Sequence, residues 1–143
     1  VYEPLILKTN RFQTLHLVVR NGKILSIEEV PNIPEVLNKL GMPVKSALCG
    51  GTHKHNQERE QWHSGANFFA IEPGKIIGYE RNVHTVEELS KEGFSVLKAS
   101  DIINEKENLD DYKKAIVTIH GSELARGGGG ARCMTMPVRR QAF

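Results

Sequence analysis

Pro73-Gly74-Lys75-Ile76-Ile77-Gly78-Tyr79, then Thr85 to Gly93 and Phe94-Ser95-Val96-Leu97, is the stretch that decides the fold. Pro73-Gly74 predicts a type II turn, because Pro presets φ at the first central position and Gly accepts positive φ at the second. The turn joins a strand over Asn67 to Ile71 to a returning strand over Lys75 to Tyr79. Thr85 and Glu88 have the spacing of a capping box, and Gly93 is placed to end the helix they begin. Phe94 to Leu97 reads as the next strand. The order is β-β-α-β, which makes the fold class α/β.

The order recurs upstream at a shift of 52 residues (Gly22 to Gly74). Gly22, Lys23 and Ile24 match Gly74, Lys75 and Ile76; Glu35, Leu37, Lys39, Gly41 and Val44 match Glu87, Leu89, Lys91, Gly93 and Val96. Leu15 to Val19 reads as a strand from its β-branched content. Asn21-Gly22 reads as a hairpin turn and Lys23 to Glu29 as the returning strand. Pro34 suits the first turn of a helix whose apolar face is Val36, Leu37 and Leu40, ended by Gly41. Val44 to Leu48 is expected as a short strand running into Cys49-Gly50-Gly51. The helix and strand half of the repeat carries more weight than the hairpin half, since a turn glycine followed by apolar residues is common. Repetition on this scale suggests modules around an axis or along a solenoid. Two modules alone leave strand edges and an apolar face unpaired. Elsewhere, Val1 to Lys8 reads as extended, because Pro4 argues against a helix. Thr52 to Ser64 is polar, Ser100 to Lys114 is charged and part helix, part loop, and Ala115 to Ile119 is a buried strand.

That last strand feeds Gly121-Ser122-Glu123-Leu124-Ala125-Arg126, Gly127 to Gly130, and Ala131-Arg132-Cys133-Met134-Thr135-Met136-Pro137. Consecutive glycines let a backbone approach a ligand closely, at an entropic cost a core element would not accept. Arg supplies planar donors for carboxylates, and Cys is the most readily activated nucleophile among side chains. Arg132 beside Cys133 favours the thiolate. A lone Cys is more often a small buried hydrophobe, but the loop in front of Cys133 points to a catalytic thiol. The glycine run is no phosphate loop, because Lys-Ser/Thr does not follow it.

The 143 residues have the length of one domain, with 39% hydrophobic and 25% charged residues, ordinary values for a globular protein. A net charge of +2, with 19 basic residues dispersed among 17 acidic ones, argues against a nucleic-acid surface. No apolar run reaches membrane-spanning length, and no signal-peptide pattern opens the chain. Two cysteines, Cys49 and Cys133, make no disulfide framework, so a reducing, cytoplasmic home is expected. The chain opens on Val1-Tyr2 without an initiator Met, and a piece of something longer is the expectation. Cys49, His53, His55 and His63 match no zinc spacing, and a polar surface loop accounts for them better. Arg59, Glu60 and Trp62 are expected to pack and pair locally, with Trp62 as a core or interface anchor. Asn67 is expected to hold a loop through side-chain to backbone bonds.

Together these blocks resemble bacterial arginine deiminases. Gly121-Ser122-Glu123-Leu124, the Arg-Gly loop and Arg132 to Pro137 are similar to the family's C-terminal signature. Arg59-Glu60-Gln61-Trp62 through Gly65-Ala66-Asn67, Glu72-Pro73-Gly74 and Tyr79-Glu80-Arg81-Asn82 resemble an earlier block. The resemblance covers Cys49 to Arg139 in the family's order. It implies a pentein-like α/β propeller of five ββαβ modules around a pocket, incomplete in this chain. Modules would span roughly 1–51 and 52–100, with a closing loop and nucleophile segment over 115–143. It implies hydrolysis of L-arginine to L-citrulline and ammonia without metal or organic cofactor. Cys133 would be the nucleophile, and Arg126, Gly128 and Gly130 would belong to the substrate-binding loop. The partner is a small-molecule guanidine, with no nucleic acid or membrane, and a homo-oligomer stays open.

Two features depart from the family pattern. Its acid/base His lies in a His-Leu-Asp motif upstream, and its guanidinium-binding carboxylates also come from upstream. Here only His16-Leu17-Val18 echoes that motif, so the chain reads as the C-terminal third or so of the enzyme, inactive alone. The family loop also reads Arg-Gly-Arg-Gly-Gly, where Arg126 matches the first Arg and Gly128 the second. A related agmatine or methylarginine hydrolase is therefore an alternative, and a non-catalytic protein of the same fold is another.

Overall fold

β6, Ala115–Ile119, is the strand on which the larger part of the chain is built. Its sequence Ala-Ile-Val-Thr-Ile does not alternate, as suits a strand covered on both faces, and its first four residues are buried. The computed structural model describes residues 1–7 and 13–139, and these form two compact units divided at Leu48 and Cys49. In the second unit the sheet order is β3-β4-β6-β5, with β3 Phe69–Glu72, β4 Lys75–Tyr79 and β5 Ser95–Lys98. β3 is antiparallel to β4, whereas β4 and β5 each run parallel to β6. Ile77 and Leu97 flank Val117 in register. Tyr79, Leu89, Leu97, Ile116 and Val117 form the core of this unit.

The β3–β4 turn is as expected, with Gly74 at φ +83°. A Cβ there would lie 2.5 Å from the Lys113 carbonyl oxygen, so the turn needs glycine for space as well as for φ. α4, Val83–Lys91, crosses from β4 to β5. It ends as the sequence indicates, with Gly93 at φ +87°. The Phe94 N–H donates to the Leu89 carbonyl at 3.1 Å and the Gly93 N–H to Ser90 at 3.0 Å, a Schellman ending. α5, Ala99–Ile103, and a 3-10 turn at Leu109–Asp111 lead to β6.

The start of α4 differs from the expected capping box. Asn82 is the N-cap residue, and Thr85 lies one turn inside the helix. The cap comes from another helix, α3, Lys54–Trp62. Glu60, fully buried, accepts the His84 N–H at 3.0 Å on Oε1 and the Thr85 N–H at 2.8 Å on Oε2. The Thr85 hydroxyl donates to the same Oε2 at 2.7 Å and accepts the Gly50 N–H at 2.9 Å. A carboxylate at a helix N-terminus satisfies unpaired N–H groups and complements the helix dipole. α3 has no apolar stripe and buries Gln57 and Glu60 instead, so periodicity gives no sign of it. Trp62 at its end is 78% exposed, which overturns the core half of the expected core or interface anchor.

In the first unit, β1, Thr14–Arg20, and β2, Lys23–Val30, form the expected antiparallel hairpin. Asn21 (φ +51°) and Gly22 (φ +72°) make its turn, both in the left-handed region a type I′ turn requires. α2, Ile33–Lys39, starts with Asn32 accepting the Glu35 N–H and ends in a second Schellman motif. There Met42 N–H donates to Leu37 and Gly41 N–H to Asn38. The repeat at 52 residues thus has a structural counterpart: Leu37, Asn38 and Gly41 make the bonds that Leu89, Ser90 and Gly93 make.

Two expectations in this unit fail. Residues 42–48 form no strand, since no neighbour among the described residues offers them a ladder. Glu3–Ile6 is a short helical turn, α1, in place of an extended stretch. Pro4 is tolerated in a first helical turn, where its missing N–H would have no helical partner. Lys8 and residues 140–143 lie outside the described residues. Leu15, Leu17, Val19, Ile24, Leu25 and Ile27 on the hairpin are all exposed.

Glu60→Gln would place an amide N–H₂ among three donors and lower stability by about 1–3 kcal/mol, the usual cost of a mispaired buried polar group. Trp62→Ala should change it by less than about 0.5 kcal/mol, as for other exposed positions. Urea midpoints of the purified chain check both, and equal losses would show that exposure misjudges Trp62.

Candidate active site

β6 ends at Ile119, and the chain turns across the C-terminal end of β4. The Glu80 N–H donates to the Ile119 carbonyl at 3.0 Å, Arg81 Nη1 to the Ser122 carbonyl at 2.5 Å, and Glu80 pairs with exposed His120 at 2.5 Å. Gly121 lies against the Tyr79 ring, where a Cβ would come within 2.3 Å of a ring carbon. These contacts fix where the glycine loop begins.

The loop then runs through a 3-10 turn, Leu124–Gly127, and a second, Arg132–Met134, which carries Cys133. The Cys133 N–H donates to the Gly130 carbonyl at 3.0 Å. Gly130 packs on Asn67, since a Cβ at 130 would lie 2.5 Å from the Asn67 Cβ. Asn67 Nδ2 donates to the exposed Cys133 Sγ at 2.9 Å. Buried Tyr79 closes the far side, its hydroxyl 3.4 Å from the Gly129 carbonyl and 3.8 Å from Met134 Sδ.

This setting lowers the Cys133 pKa below the ordinary thiol value. Hydrogen bonding from the Gly130 backbone is the largest cause, the Asn67 amide comes next, and the Arg132 charge adds to both against partial desolvation. Tyr79 is pushed up by burial and by the neighbouring Cys133. Cys49 is the opposite case. Burial raises its pKa, opposed in part by the nearby Thr85 hydroxyl, and its side chain has no exposed surface.

The structure brings Cys133, Gly129 and Gly130 together with Asn67 and Tyr79. Arg126 is 80% exposed and pairs with Glu123 at 3.1 Å, away from any described bond to the thiol turn. Gly128 has φ +73° and nothing within 4 Å of where its Cβ would be. Among the described residues no group of three or more His, Cys, Asp or Glu could hold a metal ion, and no helix is long and apolar enough to cross a membrane. Asn67 as a partner of the sulfur is invisible in the sequence, since 66 residues separate the two.

An alkylating reagent near neutral pH should modify Cys133 rapidly and Cys49 only on unfolding, because a lowered pKa leaves more reactive thiolate at a given pH. Peptide mapping by mass spectrometry reads this out. Equal rates at both cysteines would contradict the described environments.

The family described as arginine deiminase matches residues 1–140. The arginine deiminase of Mycoplasma capricolum subsp. capricolum is 42% identical over 101 residues, covering 71% of this chain and 20% of that protein. That of Streptococcus equi subsp. equi is 35% identical over 123 residues, covering 85% of this chain and 25% of that protein. The chain therefore spans about a fifth to a quarter of the length of these curated relatives. On a match that runs through both units and includes the thiol turn, the chain belongs to the arginine deiminase family.

Proposed function

We propose that the chain is the nucleophile-bearing C-terminal part of an arginine deiminase, which hydrolyses L-arginine to L-citrulline and ammonia. The observation that carries this reading is Cys133. It is an exposed thiol of lowered pKa, held by Gly130 and Asn67 at the end of a glycine loop, in a chain of this family. The thiolate attacks the guanidinium carbon, and the C–S bond forms as an electron pair moves onto nitrogen. The departing amino nitrogen takes a proton and leaves as ammonia as its C–N bond breaks, giving a covalent thiouronium adduct. Water then adds to that carbon, the C–S bond breaks with its electrons returning to sulfur, and citrulline is released. Two substitutions through a covalent intermediate replace one difficult step.

The scheme needs a general acid/base to protonate the leaving amine and activate water, and carboxylates to hold the cationic substrate. We place these groups in the remainder of the enzyme, and the chain alone is inactive. The repeated β-β-α order with matching helix ends supports an α/β propeller in which residues 1–51 and 52–100 are two of five modules and 115–143 is the closing segment. A reducing compartment such as the cytoplasm keeps Cys133 a thiol.

One observation favours a second reading. Gly128 stands where the family has an arginine, and a lost charge-assisted bond is worth about 1.5–3 kcal/mol. Agmatine, which has no carboxylate, would not miss it.

The full-length protein should release citrulline from arginine, with a higher kcat/KM for arginine than for agmatine. Cys133→Ser should abolish turnover, and the 143-residue chain alone should give none above background. A preference for agmatine would select the second reading. Cys133-dependent turnover by the isolated chain would place the acid/base within this sequence.

A further inference from the structure

We infer that Asn67 is a catalytic residue of this site, its side-chain amide holding the Cys133 sulfur as a thiolate before attack and as a leaving group afterwards. The inference rests on the reading of Cys133 as the nucleophile. Its basis is geometric. Asn67 Nδ2 lies 2.9 Å from Sγ, and the space that admits it exists because residue 130 lacks a side chain. A Cβ there would meet three Asn67 atoms, Cβ, the backbone oxygen and Cγ, at 2.5, 2.6 and 2.7 Å.

The amide is also aimed before any substrate arrives. The Asn67 N–H donates to the Ser64 carbonyl at 3.0 Å, and the Gly65 N–H donates to the Glu60 carbonyl at 2.7 Å. Asn82 Nδ2 donates to the His63 carbonyl at 3.1 Å. Gly65 in turn has no room for a side chain against Cys49 Sγ and the Glu60 carbonyl, both 2.8 Å from its would-be Cβ. The 63–67 turn is therefore tied to buried Glu60 and to the start of α4. A donor fixed in this way stabilises developing charge without reorganising at the moment of reaction.

The chemistry of a carboxamide suits the task. It is neutral at every relevant pH, so the donor is never lost by titration. It transfers no proton in either step. In the covalent adduct the sulfur is uncharged and the bond is weak. As the C–S bond breaks, the electron pair returns to sulfur and the same N–H meets it, strengthening as charge develops.

The test uses the full-length protein and iodoacetamide, which reads the thiolate without requiring turnover. Asn67→Ala should slow Cys133 alkylation roughly tenfold at about pH 6, where thiolate fraction limits the rate. It should leave the rate near about pH 10 within roughly twofold, where every form is ionised. Asn67→Asp, nearly isosteric, should slow it further at the lower pH by setting a carboxylate against the sulfur, and it carries the test if the alanine variant unfolds. The acid limb of kcat/KM should move upward in step. Superimposable alkylation profiles for folded wild-type and variant proteins would overturn the role of Asn67. Altered alkylation in a protein that hydrolyses no guanidine would uphold the contact and instead overturn the proposed reaction.

Discussion

The carboxylate of Glu60 is the constraint on which the second unit depends. Both of its oxygens are committed to the first turn of α4, through the His84 and Thr85 N–H groups and the Thr85 hydroxyl. A fully buried charge is expensive unless it is paired and hydrogen-bonded. Here three donors and the Arg59 guanidinium, 3.6 Å away, meet that requirement. The same residue's carbonyl holds Gly65, and the turn that follows sets Asn67. One side chain thus joins two helices, and its own backbone begins the path to the reactive sulfur.

A second organising feature is the placement of β6 between β4 and β5. A central parallel strand is rigid because its ladder is complete on both edges, so the loop leaving it starts from a fixed point. Clearance then does the fine positioning. Gly121 lets the chain lie on Tyr79, and Gly130 lets it lie on Asn67. Within the loop, the glycines in closest contact are these two and not the middle of the run, where Gly127 and Gly128 face open space. Close approach, more than flexibility, accounts for glycine at the ends of the loop's path.

Much of the fold was legible because its signals are local. The Asn21-Gly22 and Pro73-Gly74 turns, the Gly41 and Gly93 helix ends and the continuous apolar run of β6 each follow from the conformational preferences of a few adjacent residues. What could not be read depends on distant partners. α3 packs through Gln57 and Glu60, so it has the composition of a surface loop. Thr85 has capping-box spacing with Glu88, yet its N–H goes to Glu60, 25 residues away. Val44 to Leu48 has strand composition, but a strand exists only with a neighbour, and Val96, its counterpart in the repeat, is the one that has it. At the site, Cys133 was recognisable from its loop, whereas Asn67 and Tyr79 are joined to it only by the fold.

Gly128 also bears on what the loop can accept in its middle. Nothing lies within 4 Å of where its Cβ would be, so the first side-chain carbon would meet no neighbour. Its backbone is at φ +73°, however, and an L-residue there costs roughly 1–2 kcal/mol. That is most of the about 1.5–3 kcal/mol that one charge-assisted bond would return. Gly128→Arg alone would therefore gain little unless the turn relaxed out of the positive-φ region. A large side chain at 128 is thus accommodated only together with a change of backbone at the same position.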